Sequence, residues 1–145
     1  MNIEQLRAAI PEVIRPYVKP GIDPVLAPEA WALQRGSTSG YLAIIDAGAP
    51  DGAAEPFVHV KFMIMKVPAS GEAAFLRRLL ELNHDLGNFA GFSVDTHDRV
   101  WLGAGRFAAD LEPAELSELI SQTARLSDRF DDQLLEAFGR ENALD

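Results

Sequence analysis

The sequence predicts an α+β domain in which helices cover one face of an antiparallel sheet. Apolar residues recur at helical spacing near both ends of the chain and once in its middle, and every second residue is apolar in several segments between them. The resulting order is helix, three strands, helix, two strands and a long helix. With 145 residues, 48% of them hydrophobic, residues 1–145 are expected to form a single domain with a substantial core.

The first predicted helix begins at Asn2, whose side chain can accept hydrogen bonds from the first turn. Pro11 lacks an N–H group, so we expect a kink there or two short helices. Residues 20–28, which hold three prolines, are predicted to be a linker crossing the surface. Its large aliphatic residues are expected to anchor it to the core: Ile22, Val25 and Leu26.

Three strands are predicted next, at residues 30–35, 41–46 and 57–67. The glycines within residues 36–40 indicate a hairpin turn, and residues 47–56 are predicted to be a mobile loop. The third strand alternates, with an apolar set facing the core: Val58, Val60, Phe62 and Ile64. The opposite set is expected to face outward: His59, Lys61, Met63 and Met65.

The second helix is predicted to begin after Ser70 and to end at Gly87. Asn83 lies within its apolar face, so we expect its amide to bind neighbouring backbone. Strands are predicted at residues 89–95 and 99–107, joined by a turn.

The last helix is predicted from Pro113 to Phe138, because Pro113 suits the first helical position and Gly139 suits the end. At a rise of about 1.5 Å per residue it spans about 39 Å, more than a small sheet requires. Part of its apolar stripe is therefore available to a partner.

The net charge of −9 is concentrated at the end of the chain. From Asp110 onward there are ten acidic residues against three arginines, a net charge of −7. Such a field repels phosphate backbones and disfavours direct nucleic-acid binding, whereas basic or apolar protein surfaces are compatible partners. The alternative is that the acidic residues only keep the protein soluble.

Several classes of protein are disfavoured by what the sequence lacks. It contains no cysteine, which excludes disulfides, thiolate catalysis and cysteine-bound metals. No apolar segment near residues 1–10 resembles a signal peptide, and no apolar run approaches the roughly 20 residues of a membrane span. We therefore expect a cytoplasmic protein without a membrane anchor.

Catalytic and metal sites are not predicted. His97 lies between Asp95 and Asp98 in a sequence typical of a hairpin turn, and His84 is expected on the solvent side of a helix. The glycines of residues 36–40 join two strands, unlike a nucleophile elbow, which joins a strand to a helix. No phosphate-binding loop is present, and no cofactor is expected.

Five segments in succession carry a family resemblance. They are Leu79-Leu-Glu-Leu-Asn83, Phe89-Ala-Gly-Phe-Ser-Val-Asp95, Arg99-Val-Trp-Leu102, Asp110-Leu-Glu-Pro-Ala-Glu-Leu116 and Leu126-Ser-Asp-Arg-Phe-Asp-Asp-Gln-Leu134. The chain resembles the YbjN-type domains, which are similar to class I type III secretion chaperones such as the Tir chaperone family. The resemblance implies an α-β-β-β-α-β-β-α fold, a homodimer and protein binding along apolar patches without catalytic residues.

The leading hypothesis is therefore a non-enzymatic homodimeric domain, chaperone-like or a regulatory adaptor, that binds a client protein. Trp101 and the methionines are of types that adapt to partners, although a helix or dimer partner could simply cover them. The expected apolar anchors are Met63, Met65, Trp101 and Phe107. The residues expected to attract a basic client segment are Asp128, Asp131 and Asp132. The alternative is a regulatory domain that encloses a small apolar ligand, and an enzyme using His59 or His97 is third.

Overall fold

A computed structural model describes residues 2–144, which form three helices and one six-stranded sheet. The helices are α1 (Ile3–Ile14), α2 (Glu72–Leu86) and α3 (Pro113–Phe138), with short 3-10 helices at Arg15–Tyr17 and Arg140–Asn142. The strands are β1 (Val25–Ala27), β2 (Ala30–Arg35), β3 (Thr38–Asp46), β4 (Pro56–Lys66), β5 (Gly91–Val94) and β6 (Arg99–Phe107). The sheet has the order β1-β2-β3-β4-β6-β5, and every pair is antiparallel. The predicted α+β class is confirmed.

The core lies between the sheet and the helical layer formed by α1 and α3. Val58, Val60 and Phe62 of β4 are 0% exposed, as their alternation predicted. Both helices contribute fully buried side chains to the same cluster: Leu6, Ile10 and Ile14 from α1, and Leu116 and Ile120 from α3. Helix α2 packs against β5 and contacts α3 edge-on through the rings of Phe75 and Phe138, whose centroids lie 5.0 Å apart.

Two predicted helix boundaries differ from the structure. Helix α1 continues through Pro11 as one helix, since Pro11 lies on the exposed side, where water can satisfy the carbonyl that its missing N–H would have bound. Helix α2 is capped by Gly71 in the left-handed conformation, not by Ser70. Helix α3 has the predicted bounds, and its first turn is closed by reciprocal hydrogen bonds between Glu112 and Glu115.

The prediction that residues 20–28 are anchored to the core is wrong. The exposed fractions are 59% for Ile22, 53% for Val25 and 63% for Leu26. Residues 25–27 instead form the edge strand β1, and the core position below them is already filled by Trp31, which pairs with Val25 and is 7% exposed. Prolines flank β1 on both sides, as is common for edge strands, which need no hydrogen bonds on one side.

A β-bulge near the end of β4 reverses the side on which Met65 lies. Met63 is opposite Trp101 and Met65 is opposite Val100, so the pairing shifts by one residue between the two methionines. Ile64 and Met65 are consequently both buried, at 3% and 0% exposure. The expectation that Met65 faces outward is therefore wrong, because a single extra residue reverses the alternation that the sequence shows.

Candidate partner-binding surface

The outer face of the sheet is the face opposite the helical layer, and aromatic side chains cluster on its central strands. Tyr41 of β3, His59 of β4 and Trp101 of β6 are all half-buried. The Tyr41 ring meets both neighbours edge-on, with centroid distances of 5.5 Å to His59 and 5.5 Å to Trp101. Such edge contacts favour a fixed arrangement of the rings. Met63 lies opposite Trp101 and completes this group.

Trp101 is held in place by the carboxylate of Asp95, which accepts four hydrogen bonds. Trp101 Nε1 donates to Oδ2 at 2.9 Å and Arg99 Nε donates to the same oxygen at 2.8 Å. The backbone N–H groups of His97 and Arg99 donate to Oδ1 at 2.8 and 3.0 Å. The Arg99 guanidinium also lies 6.0 Å from the Trp101 ring centroid. The indole therefore has a fixed orientation, and its N–H requires no acceptor from a partner.

These hydrogen bonds also set the acidity of Asp95. The hydrogen bond from Trp101 does most to hold the pKa of Asp95 well below its ordinary value. Burial acts in the opposite direction, and the hydrogen bonds from the N–H groups of Arg99 and His97 lower the pKa further. The carboxylate is thus ionised throughout the neutral range. The Asp95–Asp98 segment is the hairpin turn that the sequence predicted.

A second aromatic pair lies at the other end of the outer face. Phe107, which is 50% exposed, meets Phe57 edge-on with centroids 5.2 Å apart. The Phe57 ring covers Gly105, where an added Cβ would lie 2.4 Å from the ring. A side chain at position 105 would displace the ring, so glycine is required there. Trp101, Met63 and Phe107 therefore share one face, whereas Met65 does not.

His59 is partly enclosed by this surface. Burial, and to a lesser extent the charge of Lys61, lower the pKa of His59 from its ordinary value. The imidazole is therefore neutral at neutral pH.

The sequence did not identify three residues of this surface, Tyr41, Phe57 and Asp95, because their roles depend on which strands are neighbours. The only feature of the sequence that could have assigned Tyr41 and Phe57 to the outer face was the alternation of apolar and other residues within each strand.

The predicted acidic residues lie elsewhere. Asp128, Asp131 and Asp132 belong to α3, in the helical layer, and Asp128 pairs with Arg35 Nη1 of β2 at 3.0 Å. Together with the β2–β3 turn they line a groove of about 550 Å³. Burial raises the pKa of Asp131, and Asp132 and Asp128 raise it further. The seven residues expected to form one surface are thus divided among the outer face, the core and the helical layer.

Neither a metal site nor a membrane span is found in the part of the chain that the structure describes. Residues 2–144 contain no group of three or more His, Asp or Glu side chains that could hold a metal ion. None of the three helices combines the length and the apolar composition needed to cross a bilayer.

No family model matches the chain, and neither does any curated protein sequence. A chain in the crystal structure of the ExsC–ExsE complex is similar in structure, with a TM-score of 0.68 and 15% sequence identity. The similarity covers 92% of this chain and 97% of that chain. It confirms the expected fold, a three-helix, antiparallel α+β arrangement like that of type III secretion chaperones. At this identity the likeness concerns the fold alone.

Proposed function

We propose that this protein is a non-enzymatic, chaperone-like domain that works in the cytoplasm as a homodimer and binds a client protein on the outer face of its sheet. The protein-binding role is supported by the fold shared with a chain solved as part of a two-protein complex, and it is what the YbjN-like segments of the sequence imply. The observation that carries the proposal is the fixed tryptophan on the outer face, Trp101.

Trp101 has the properties of an interface anchor. Hydrogen bonds to Asp95 and edge contact with Tyr41 hold it before any partner arrives, so little side-chain entropy is lost on binding. Met63 lies opposite Trp101 and offers an adaptable apolar surface beside it. Phe107 extends the apolar area toward the other end of the strand pair.

The test is cross-linked capture of the client from source cells with three forms of the full chain. The Trp101→Ala/Met63→Ala double variant should lose a protein that the unmodified chain captures in stoichiometric amount. The control is Leu80→Ala, which removes a side chain that is 69% exposed on α2, away from the outer face. Equal capture by all three forms would show that the client does not bind this face.

Dimer formation requires a separate measurement. Sedimentation equilibrium of the full chain should give twice the 15.8 kDa mass of one chain at micromolar concentration. A single-chain mass across the concentration range would remove the homodimer from the proposal and leave client binding to the capture experiment.

A groove near the edge of the sheet favours a second candidate, a regulatory domain that senses a small apolar ligand. It has a volume of about 330 Å³, and its lining combines the charged Arg15 and Asp23 with five apolar residues: Pro11, Val18, Pro24, Val25 and Trp31. Ligand pockets usually begin at about 300 Å³, so the groove is of sufficient size. A metabolite that raises the melting temperature and quenches Trp31 fluorescence would support this candidate. A screen without any such compound would contradict it.

A further inference from the structure

We propose that the client segment on the outer face carries carboxylates among its apolar residues and that these pair with Lys61 and Lys66. The inference rests on the client-binding function proposed above and names the chemistry of that partner. It reverses the expectation of a basic client segment, which followed from the acidic residues of the last helix, Asp128, Asp131 and Asp132.

The first argument is the location of the lysines. The chain has three lysines and a net charge of −9, yet two of the lysines, Lys61 and Lys66, lie on β4. Lys61 alternates with the buried Val60 and Phe62 and therefore faces outward. Lys66 pairs with Arg99 directly after the bulge that turns Met65 inward, so it also faces outward. The excess of acid is concentrated on α3, on the other side of the sheet.

The second argument is that these two charges are unpaired. Within residues 2–144, neither Lys61 nor Lys66 has a hydrogen-bond or ion-pair partner. Arg99, the third cation on this face, already binds Asp95 through Nε at 2.8 Å. The Asp95 carboxylate is fully engaged with its own turn and with Trp101. Among residues 2–144, the outward-facing positions of the strands thus hold two unpaired lysines and no Asp or Glu.

The position of Lys61 makes its charge matter for binding. Its side chain lies across Gly103, where an added Cβ would be 2.7 Å from Lys61 Cγ. The stem therefore leans from β4 over β6, the strand that carries Trp101, while Tyr41 lies on the other side of Lys61. Any partner that covers Trp101 also covers this region. A partner without a carboxylate would remove water from an unpaired ammonium group without replacing its interactions, which weakens binding.

The same argument disfavours a second copy of the chain on this face. A two-fold interface places the same patch on both sides, so the lysines of both copies would enter one interface in which the Asp95 carboxylates are already engaged and the described strand positions carry no Asp or Glu. An acidic and apolar segment avoids this conflict. Four residues of β4 lie between the two lysines, and the positions opposite them on β6, Gly103 and Arg99, are four residues apart, so their partners should lie about 13 Å apart.

Three synthetic peptides test the proposal. They share the same alternating apolar positions and differ at two sites four residues apart, which an extended peptide presents on the same face and which hold Glu, Gln or Lys. Fluorescence anisotropy with the full chain should show the Glu peptide binding at least about tenfold more tightly than the Gln peptide, and the Lys peptide most weakly. The Lys61→Gln/Lys66→Gln variant should bind the three peptides with similar affinities, whereas the control variant Lys19→Gln should show the same order of affinities as the unmodified chain. Equal affinities, a preference for the Lys peptide, or binding of none would overturn the proposal.

The charge-reversal variant Lys61→Glu/Lys66→Glu separates this inference from the function on which it rests. If it still captures a client whose binding depends on Trp101, client binding stands and the acidic chemistry is wrong. If capture is lost and circular dichroism shows an intact fold, the inference is supported. Lysine-dependent binding of a double-stranded DNA probe by the unmodified chain would instead indicate a phosphate partner and contradict the assignment.

Discussion

The two faces of the sheet are built from alternate residues of the same strands, yet they differ in almost every physical property. On β4, Val58, Val60 and Phe62 are 0% exposed beneath the helices, whereas Lys61 and Met63, which alternate with them, are half-buried. Among the described residues, no charged side chain is buried in the core beneath the inner face. The outer face combines aromatic side chains with two free lysines. The comparison suggests that one face provides stability and leaves the other free to evolve for recognition.

The largest expected effect comes from truncating neighbouring residues on opposite faces. Phe62→Ala should lower the free energy of unfolding by about 3–5 kcal/mol, because it leaves a cavity among residues that are fully buried. Met63→Ala, one residue along the strand, should cost less than about 1 kcal/mol. Urea unfolding of both variants measures the difference. Similar losses would show that the outer face is also part of the stabilising core.

The second prediction concerns the β5 edge of the sheet. The Asn83 amide accepts a hydrogen bond from Phe92 N at 2.6 Å and donates one to Phe92 O at 3.3 Å. It thus makes the two backbone hydrogen bonds that a neighbouring strand would otherwise make. Asn83→Ala should cost about 1–3 kcal/mol because both backbone groups lose their partner. It should also speed hydrogen exchange at the Phe92 amide and promote aggregation through the freed edge. Asn88→Ala, at a nearby exposed residue, is the control, and unchanged exchange at Phe92 would contradict the interpretation.

These contacts show which parts of the structure the sequence could predict. Local periodicity predicted all three helices, the bounds of α3 and five of the six strands, because burial on one side leaves a direct pattern. It also identified Asn83 as a polar residue in an apolar helical face. Strand β1 was missed because its three residues are too few and too exposed to show alternation.

The candidate site was less predictable than the fold. Met65 was assigned to the wrong face because a bulge leaves no periodic signal and is set by pairing with β6. The acidic residues of α3 were grouped with Trp101, although the buried apolar face of α3 places them on the other side of the sheet, where Asp128 pairs with Arg35. Positions within an element follow from local rules, whereas the grouping of surface residues depends on tertiary contacts.

The third prediction tests whether Asp95 positions Trp101. Asp95→Asn retains the size of the side chain but places an amide group where the indole N–H and the Arg99 side chain both require an acceptor. The melting temperature should fall by a few degrees, and the NMR resonance of the Trp101 indole N–H should shift and broaden. Asp98→Asn, in the same turn but without a hydrogen bond to Trp101, is the control. An unchanged indole resonance would show that Trp101 is held by packing alone.

The smallest expected effect is a dependence on pH that originates in His59. Because burial and Lys61 lower its pKa in the folded state, the unfolded chain binds a proton more readily as the pH falls. The stability that neutral His59 contributes is complete above the ordinary pKa of about 6.5 and is lost as the pH falls through the lower folded value. His59→Gln should therefore lose less stability than the unmodified chain between pH 7 and pH 5, measured by urea unfolding in matched buffers. His97→Gln, at an exposed turn residue, should leave the profile unchanged. A parallel decline in the His59 variant would show that the outer face does not restrict protonation of this residue.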